Sequence, residues 1–372
     1  MNKIIIVVFS LFATANLWAV DNIKLSLDWV PQGEHGGFFQ AISKGYYAEH
    51  NIELEIIPGG PSINTKAMLM ADQVQFNIGG SAGALNYAKQ DLPFTAVASF
   101  FQKTPQVLIS HPNMGIDHPR DFQGKTIFLS NFGRLSFWGF IKQKYDLSDD
   151  QLKSYNFNSQ PFIDDPESIQ QGYLSSEPFA IKKVAGFEPV VHLLADHGFS
   201  AYANTIEASD KLIQENPDLI KRFISASRKG WEDYLENDPQ PAFDLIQELN
   251  PDMPSDKLAY AHKKLIEYKI VTGDDQTIGS MTHDRWQEFY EMSVELGIYD
   301  SKFDYEKAYT FCDLLIIGGG PSGLIAAKIA AEAGLDVILA EQEPIFGGRL
   351  NSETENVAGI PGSDWAAKIV EE

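Results

Sequence analysis

Residues 23–45 read Ile-Lys-Leu-Ser-Leu-Asp-Trp-Val-Pro-Gln-Gly-Glu-His-Gly-Gly-Phe-Phe-Gln-Ala-Ile-Ser-Lys-Gly, and the fold follows from how this stretch divides. Residues 23–27 alternate apolar and polar, as a half-buried strand does. Gln32-Gly33-Glu34-His35-Gly36-Gly37 is a glycine-rich turn, and residues 38–44 read as a helix stopped by Gly45. Strand, glycine turn and helix together make one unit of an α/β sheet. Outward from it, residues 52–57 form a second alternating strand, broken by Pro58-Gly59-Gly60-Pro61. Residues 65–71 are helical, 76–80 a short strand running into a glycine turn, 82–89 helical again and 94–100 a strand. Strands that alternate with helices imply parallel βαβ units.

A second set begins near Val107. Asp121-Phe122-Gln123-Gly124-Lys125 precedes a strand at 126–129, and the turn Ser130-Asn131-Phe132-Gly133 leads into a helix over about 136–145. Residues 170–174 and 190–194 continue the alternation. From 211 to about 296 the pattern is mostly helical, punctuated by Pro217, Pro239 and Pro251, with Trp231, Tyr234, Trp286 and Tyr290 available for packing.

The chain has 372 residues, enough for two or three domains. Its formal net charge of −22 argues against nucleic acid and against anionic lipid as partners. Cys312 is the single cysteine, so no intrachain disulfide and no cysteine-based metal cluster can form. Met1-Asn2-Lys3, an apolar run over 4–15 and Leu17-Trp18-Ala19 together have the make-up of a secretory signal peptide cleaved after Ala19. The run is too short to span a bilayer; the competing reading is a buried N-terminal strand. Export places the expected working compartment in the periplasm.

Leu27-Asp28-Trp29, His35-Gly36-Gly37-Phe38, Lys44-Gly45-Tyr46-Tyr47 and Gly59-Gly60-Pro61 resemble the first lobe of bacterial solute-binding proteins of the thiamine-pyrimidine-synthase-like group. That group is similar to the nitrate, sulfonate and taurine binding proteins of ABC importers. The segments at 121–127 and 170–178 look like the second lobe's opening and its Gly, aromatic and Glu-Pro segment. The resemblance covers nearly all of residues 21–311. It implies a two-lobed α/β periplasmic binding protein type II fold, with lobe 1 over about 21–106 and 205–311 and lobe 2 over about 107–204. It also implies a cleft ligand trapped by hinge closure, a monomer, and ABC importer subunits as partners. The family's pyrimidine synthases would need cysteines and an iron-linked histidine site. This chain has no cysteine before Cys312, so capture of a solute is expected rather than catalysis, with no cofactor and no metal for the main body.

Ligands of such sheets sit beyond the carboxyl ends of strands, near helix N-termini. The turns Gly33–Gly37, Gly79–Ser81 and Ser130–Gly133 fall there, which makes Ser81 a candidate. Trp29, Phe38, Phe132, Phe137, Trp138 and Tyr173 lie in or beside the turns and the 170–178 segment, where a flat heteroaromatic ring would stack between side chains. Glu177 is placed to accept from an exocyclic amine, and His35 to bond a ring nitrogen. The expected solute is therefore a small aminopyrimidine-like thiamine precursor. A sulfonate or nitrate is the alternative. Phe137 and Trp138 on a helix are more often core than site, and Glu177 before Pro178 equally suits a turn.

The last segment reads differently. Residues 312–317 are an apolar strand interrupted only by Asp313, followed at once by Gly318-x-Gly320-x-x-Gly323, an alanine-rich helix at 324–333 and a second strand at 337–340 ending at Glu341. The glycines suit a tight turn and close approach of a pyrophosphate, with Glu341 placed for ribose hydroxyls. Residues 318–324, 341–344 and 346–350 resemble the FAD-binding start of the sarcosine oxidase α-subunit type. A partial Rossmann-like βαβ unit over 312–372 is expected, joined as a truncated fusion. FAD is its implied but doubtful cofactor, and an FAD-dependent oxidoreductase is a further alternative function. The unit is expected to be dispensable for solute capture.

Overall fold

Two five-stranded sheets organise the computed structural model, one per lobe. It describes residues 20–60, 63–274, 276–299 and 302–311, together with strands at 314–317, 337–340, 356–357 and 360–361. The signal-like segment 1–19, the motif glycines Gly318, Gly320 and Gly323, and Glu341 lie outside the described residues.

The first sheet contains β1 (Asp21–Ser26), β2 (Ile52–Ile57), β3 (Phe76–Gly80) and β4 (Phe94–Phe101). The second holds β5 (Gln106–Ser110), β6 (Ile127–Leu129), β7 (Leu152–Ser154), β8 (Ile169–Tyr173) and β9 (Val190–Leu193). The chain then returns to the first sheet as β10 (Ala203–Ser209). The orders are β2-β1-β3-β10-β4 and β7-β6-β8-β5-β9. The second sheet is thus built from five consecutive strands, while the first takes its fifth strand only after the chain has crossed to the other lobe and back.

The strand that follows each crossing, β5 and β10, departs from the expected parallel βαβ pattern. Strands β1, β2 and β3 run parallel, as do β6, β7 and β8, because helices connect them on one lobe. Strand β10 enters antiparallel between β3 and β4, and β5 runs antiparallel to β8 and β9. A strand arriving across the lobe junction owes no handedness to a local crossover helix. Strand β5 starts at Gln106 and β10 at Ala203, slightly ahead of the boundaries drawn from sequence.

The expected helix over 136–145 is two helices, Asn131–Ser136 and Trp138–Tyr145, meeting at Phe137. The helix Pro217–Glu236 buries one face on the first sheet, where Phe223 stacks on Phe76 with ring centroids 4.1 Å apart. The helix His283–Glu295 ties the lobes together: its Arg285 donates to Ser200 O (2.7 Å), Ala201 O (3.1 Å) and Gln102 O. Both crossover segments are thereby held by one guanidinium. Beyond it, Thr310 N donates to Ala96 O at 2.9 Å and so covers the free edge of β4. In the last segment, Leu314–Ile317 and Val337–Ala340 pair in parallel, the relation a βαβ unit requires.

Candidate functional site

Between the lobes lies a cleft enclosing about 300 Å³. Its first-lobe wall is Asp28, Lys66 and the run from Gly79 to Gly83. Gln106, Phe132 and Tyr173 face them from the second lobe, with Tyr202 and Asn204 at the return crossover. The strand ends put these residues there: β1 ends just before Asp28, β3 at Gly80 and β8 at Tyr173. This is where open α/β sheets place ligands.

Of the residues singled out from sequence, Tyr173, Phe132 and Ser81 line this cleft. Phe132 is 59% exposed, an unsatisfied apolar surface at its rim. Ser81 is buried and its Oγ accepts from Tyr202 N at 2.8 Å, so it fixes the crossover segment and the start of the helix Ser81–Lys89. Trp29 follows β1 but is not among the residues lining the cleft; its ring meets Phe157 of the other lobe, centroids 5.9 Å apart. Phe157 is exposed and holds a left-handed backbone at φ 58°.

Four other expectations are corrected. Phe38 is fully buried, edge-on to Phe100 and Trp231, and belongs to the core. Its turn, Gly33 to Gly37, is buried too: added side chains at Gly36 and Gly37 would overlap the rings of Tyr234 and Trp231. The glycines there serve helix packing. Trp138 is also core, with its indole N–H donated to Asp149 at 2.7 Å. His35 has both ring nitrogens committed. Nδ1 accepts from Gln32 N at 3.3 Å, which leaves Nε2 to donate to Asp28 Oδ1 at 3.0 Å. Its role is to orient Asp28, which does line the cleft. Glu177 turns back onto its own strand, accepting from Tyr173 N at 2.7 Å and from the Tyr155 hydroxyl. It holds Tyr173 in place. The Ser130 N–H is likewise taken, by Gln171 Oε1 at 2.6 Å.

Sequence reasoning passed over the acidic floor. Glu34 is buried, and its Oε2 accepts from Ser175 Oγ of the opposite lobe at 3.3 Å. Asn204 Nδ2 donates to the Glu34 carbonyl at 3.2 Å. Glu207, in the middle of β10, is fully buried. Burial pushes the carboxyls of Glu34, Glu177 and Glu207 above the ordinary range. Burial also raises the Tyr173 phenol well above its usual value, helped by the charges of Asp28, Glu34 and Glu177.

These shifts fix a pH dependence. A carboxyl whose pKa rises on folding binds its proton more tightly in the folded state. Its contribution to stability is complete below the ordinary glutamate value of about 4.3 and is lost as pH rises through the raised value. Burial lowers the pKa of His192, His197 and His262 and acts the other way, costing stability as pH falls, so the carboxyl part shows only in a difference between parent and variant. The unfolding temperature of the parent, relative to that of Glu207→Gln, is expected to rise as pH falls, because only the parent gains from protonating this carboxyl, and scanning calorimetry of both proteins between about pH 7 and pH 5 checks it. An equal slope in the variant would remove Glu207 from this account.

Two α/β lobes, joined by paired crossovers around an inter-lobe cleft, define a periplasmic binding protein fold of type II. Residues 32–242 match the NMT1/THI5 like family, and the chain belongs to that family. Residues 313–367 match the FAD dependent oxidoreductase family. The riboflavin-binding protein RibY of Chloroflexus aurantiacus is 25% identical over 303 residues, 78% of this chain and 85% of that protein. The formylaminopyrimidine-binding protein of Halalkalibacterium halodurans is 22% identical, covering 61% of this chain and 70% of that one. The tail is similar to the sarcosine oxidase subunit alpha of Rhizobium meliloti, 36% identical over 94 residues, and spans only 10% of that protein. Among solved structures, the periplasmic aliphatic sulphonate binding protein SsuA of Escherichia coli shares the fold, with a TM-score of 0.59 at 10% identity over 77% of this chain and 91% of that one.

Proposed function

We propose that this chain captures a small, flat, amine-bearing ring of the aminopyrimidine type in the inter-lobe cleft and delivers it to an ABC importer from the periplasm. One observation carries the reading. The cleft combines the second-lobe aromatics Phe132 and Tyr173 and the crossover residue Tyr202 with carboxylates, Asp28 at its wall and Glu34 and Glu207 beneath it, against the single cation Lys66 among the lining residues described. Such a lining attracts N–H donors and repels an oxyanion. A sulfonate would need the reverse balance.

Similarity to a formylaminopyrimidine-binding protein supports a pyrimidine ring, and similarity to RibY over most of the chain supports a second reading, a flavin. The two share a nitrogen heteroaromatic ring with N–H donors, which is what the cleft chemistry recognises.

A thermal-shift panel separates these readings. A ligand at a hundred times its Kd stabilises the folded state by about 2.7 kcal/mol, a shift of several degrees. 4-Amino-5-hydroxymethyl-2-methylpyrimidine is expected to raise the unfolding temperature, and taurine and nitrate to leave it in place. A shift with taurine alone would replace this reading by the sulfonate one, and a shift with riboflavin alone would select the flavin.

A further inference from the structure

Under the first-lobe wall of the cleft, one carboxyl has half its hydrogen-bonding capacity unused. Glu207 Oε2 accepts from Asn77 Nδ2 at 2.8 Å and from the Tyr87 hydroxyl at 3.1 Å. Its other oxygen, Oε1, is buried without a hydrogen-bond partner among the described residues. A buried acceptor left unmet is destabilising, more so if charged, so its retention calls for an occupant.

Two glycines give Oε1 its direction. Gly79 and Gly83 both line the cleft. Any side chain at Gly79 would overlap Oε1, and a methyl at Gly83 would lie 3.1 Å from it. Bare backbone is therefore what separates this oxygen from the cleft. The same Gly83 methyl would lie 2.9 Å from Lys66 Nζ, so ammonium and carboxyl flank one point of the wall. Lys66 is exposed, lines the cleft and rests over the Tyr87 ring at 5.4 Å. Among neighbouring groups its charge does most to favour the ionised Glu207 against the burial that opposes it. A second buried acceptor without a partner, Asn204 Oδ1, belongs to a residue lining the same cleft.

We infer that Glu207 Oε1, reached past Gly79 and Gly83, is the subsite that accepts from the exocyclic amine or ring N–H of the captured solute, with Lys66 as its positioning residue. This rests on the cleft being a heteroaromatic-ring site and names the group that selects the ring's polar edge. A hydrogen bond to a charged acceptor in a dry site is among the stronger ones. The missing Cβ atoms at positions 79 and 83 are the structural condition for it.

Isothermal titration with three probes tests the subsite: 4-amino-5-hydroxymethyl-2-methylpyrimidine, the same ring without its amine, and riboflavin. The parent is expected to prefer the amino compound over its des-amino partner. Glu207→Gln keeps the shape and is expected to weaken the amino probe by about ten- to a hundredfold while sparing the des-amino ring. Lys66→Met alters an exposed side chain and keeps the test open if the Glu207 variant fails to fold. It is expected to make amino-probe binding fade at a higher pH than in the parent as pH falls, since the carboxyl then protonates sooner. An unchanged amino preference in Glu207→Gln, or an unchanged pH profile in Lys66→Met, overturns the subsite and leaves the capture reading standing. If the parent prefers riboflavin to both pyrimidines, loss of riboflavin affinity in Glu207→Gln upholds the subsite on a ring N–H, and no loss overturns it. A parent that binds none of the three overturns both inferences.

Discussion

Replacing Phe38 by alanine is expected to cost about 3–5 kcal/mol of folding stability and to leave solute affinity within the range of the parent. The ring is fully buried and meets Phe100 and Trp231 edge-on, with centroids 5.2 and 5.7 Å away. Each such pair is worth about 0.5–1.5 kcal/mol beyond its buried area. The neighbours cannot collapse into the space, because Trp231 is itself held edge-on by Phe101 and Tyr234. Urea denaturation should show a lower midpoint at an unchanged slope. A variant of parental stability that no longer binds solute would return Phe38 to the cleft.

Phe38 also shows where reading from sequence stops. The strand before it and the helix around it are local patterns, and period alone exposes them. Which face of that helix meets the ligand depends on Trp231 and Tyr234, almost two hundred residues onward. The glycines at 36 and 37 look like a ligand turn and are spacers for those rings. His35 has the same history: its flanking glycines suggest access, but Gln32 and Asp28 consume both nitrogens. Tyr173 and Phe132 were legible because a turn after a strand projects side chains off the sheet edge wherever the helices go. Glu207 was not legible. It stands inside an alternating strand, where one acid passes for a solvent-facing residue, and only the insertion of β10 between β3 and β4 buries it. The mixed strand order was hidden for the same reason, since a crossover between lobes leaves no periodic mark.

The second large effect concerns the aromatic walls. Trp29→Ala and Tyr173→Ala are each expected to weaken binding of the pyrimidine probe by about 1–3 kcal/mol, roughly five- to 150-fold in Kd. Their causes differ, so their kinetics should differ. Tyr173 lines the cleft from the end of β8 and is fastened there through its backbone by Glu177. Its removal deletes ring contact in the bound state and should appear in the dissociation rate. Trp29 touches Phe157 of the other lobe without lining the cleft, so its removal is expected to act by loosening the contact between the lobes. In that variant the closed population falls, and apparent affinity falls with it even for a ring that never touches the indole. Phe157→Ala is then expected to reproduce much of the Trp29 effect and none of the Tyr173 effect. Stopped-flow binding of the three variants measures this. If Phe157→Ala binds as the parent does while Trp29→Ala does not, Trp29 acts on the ligand directly and the inter-lobe contact is incidental.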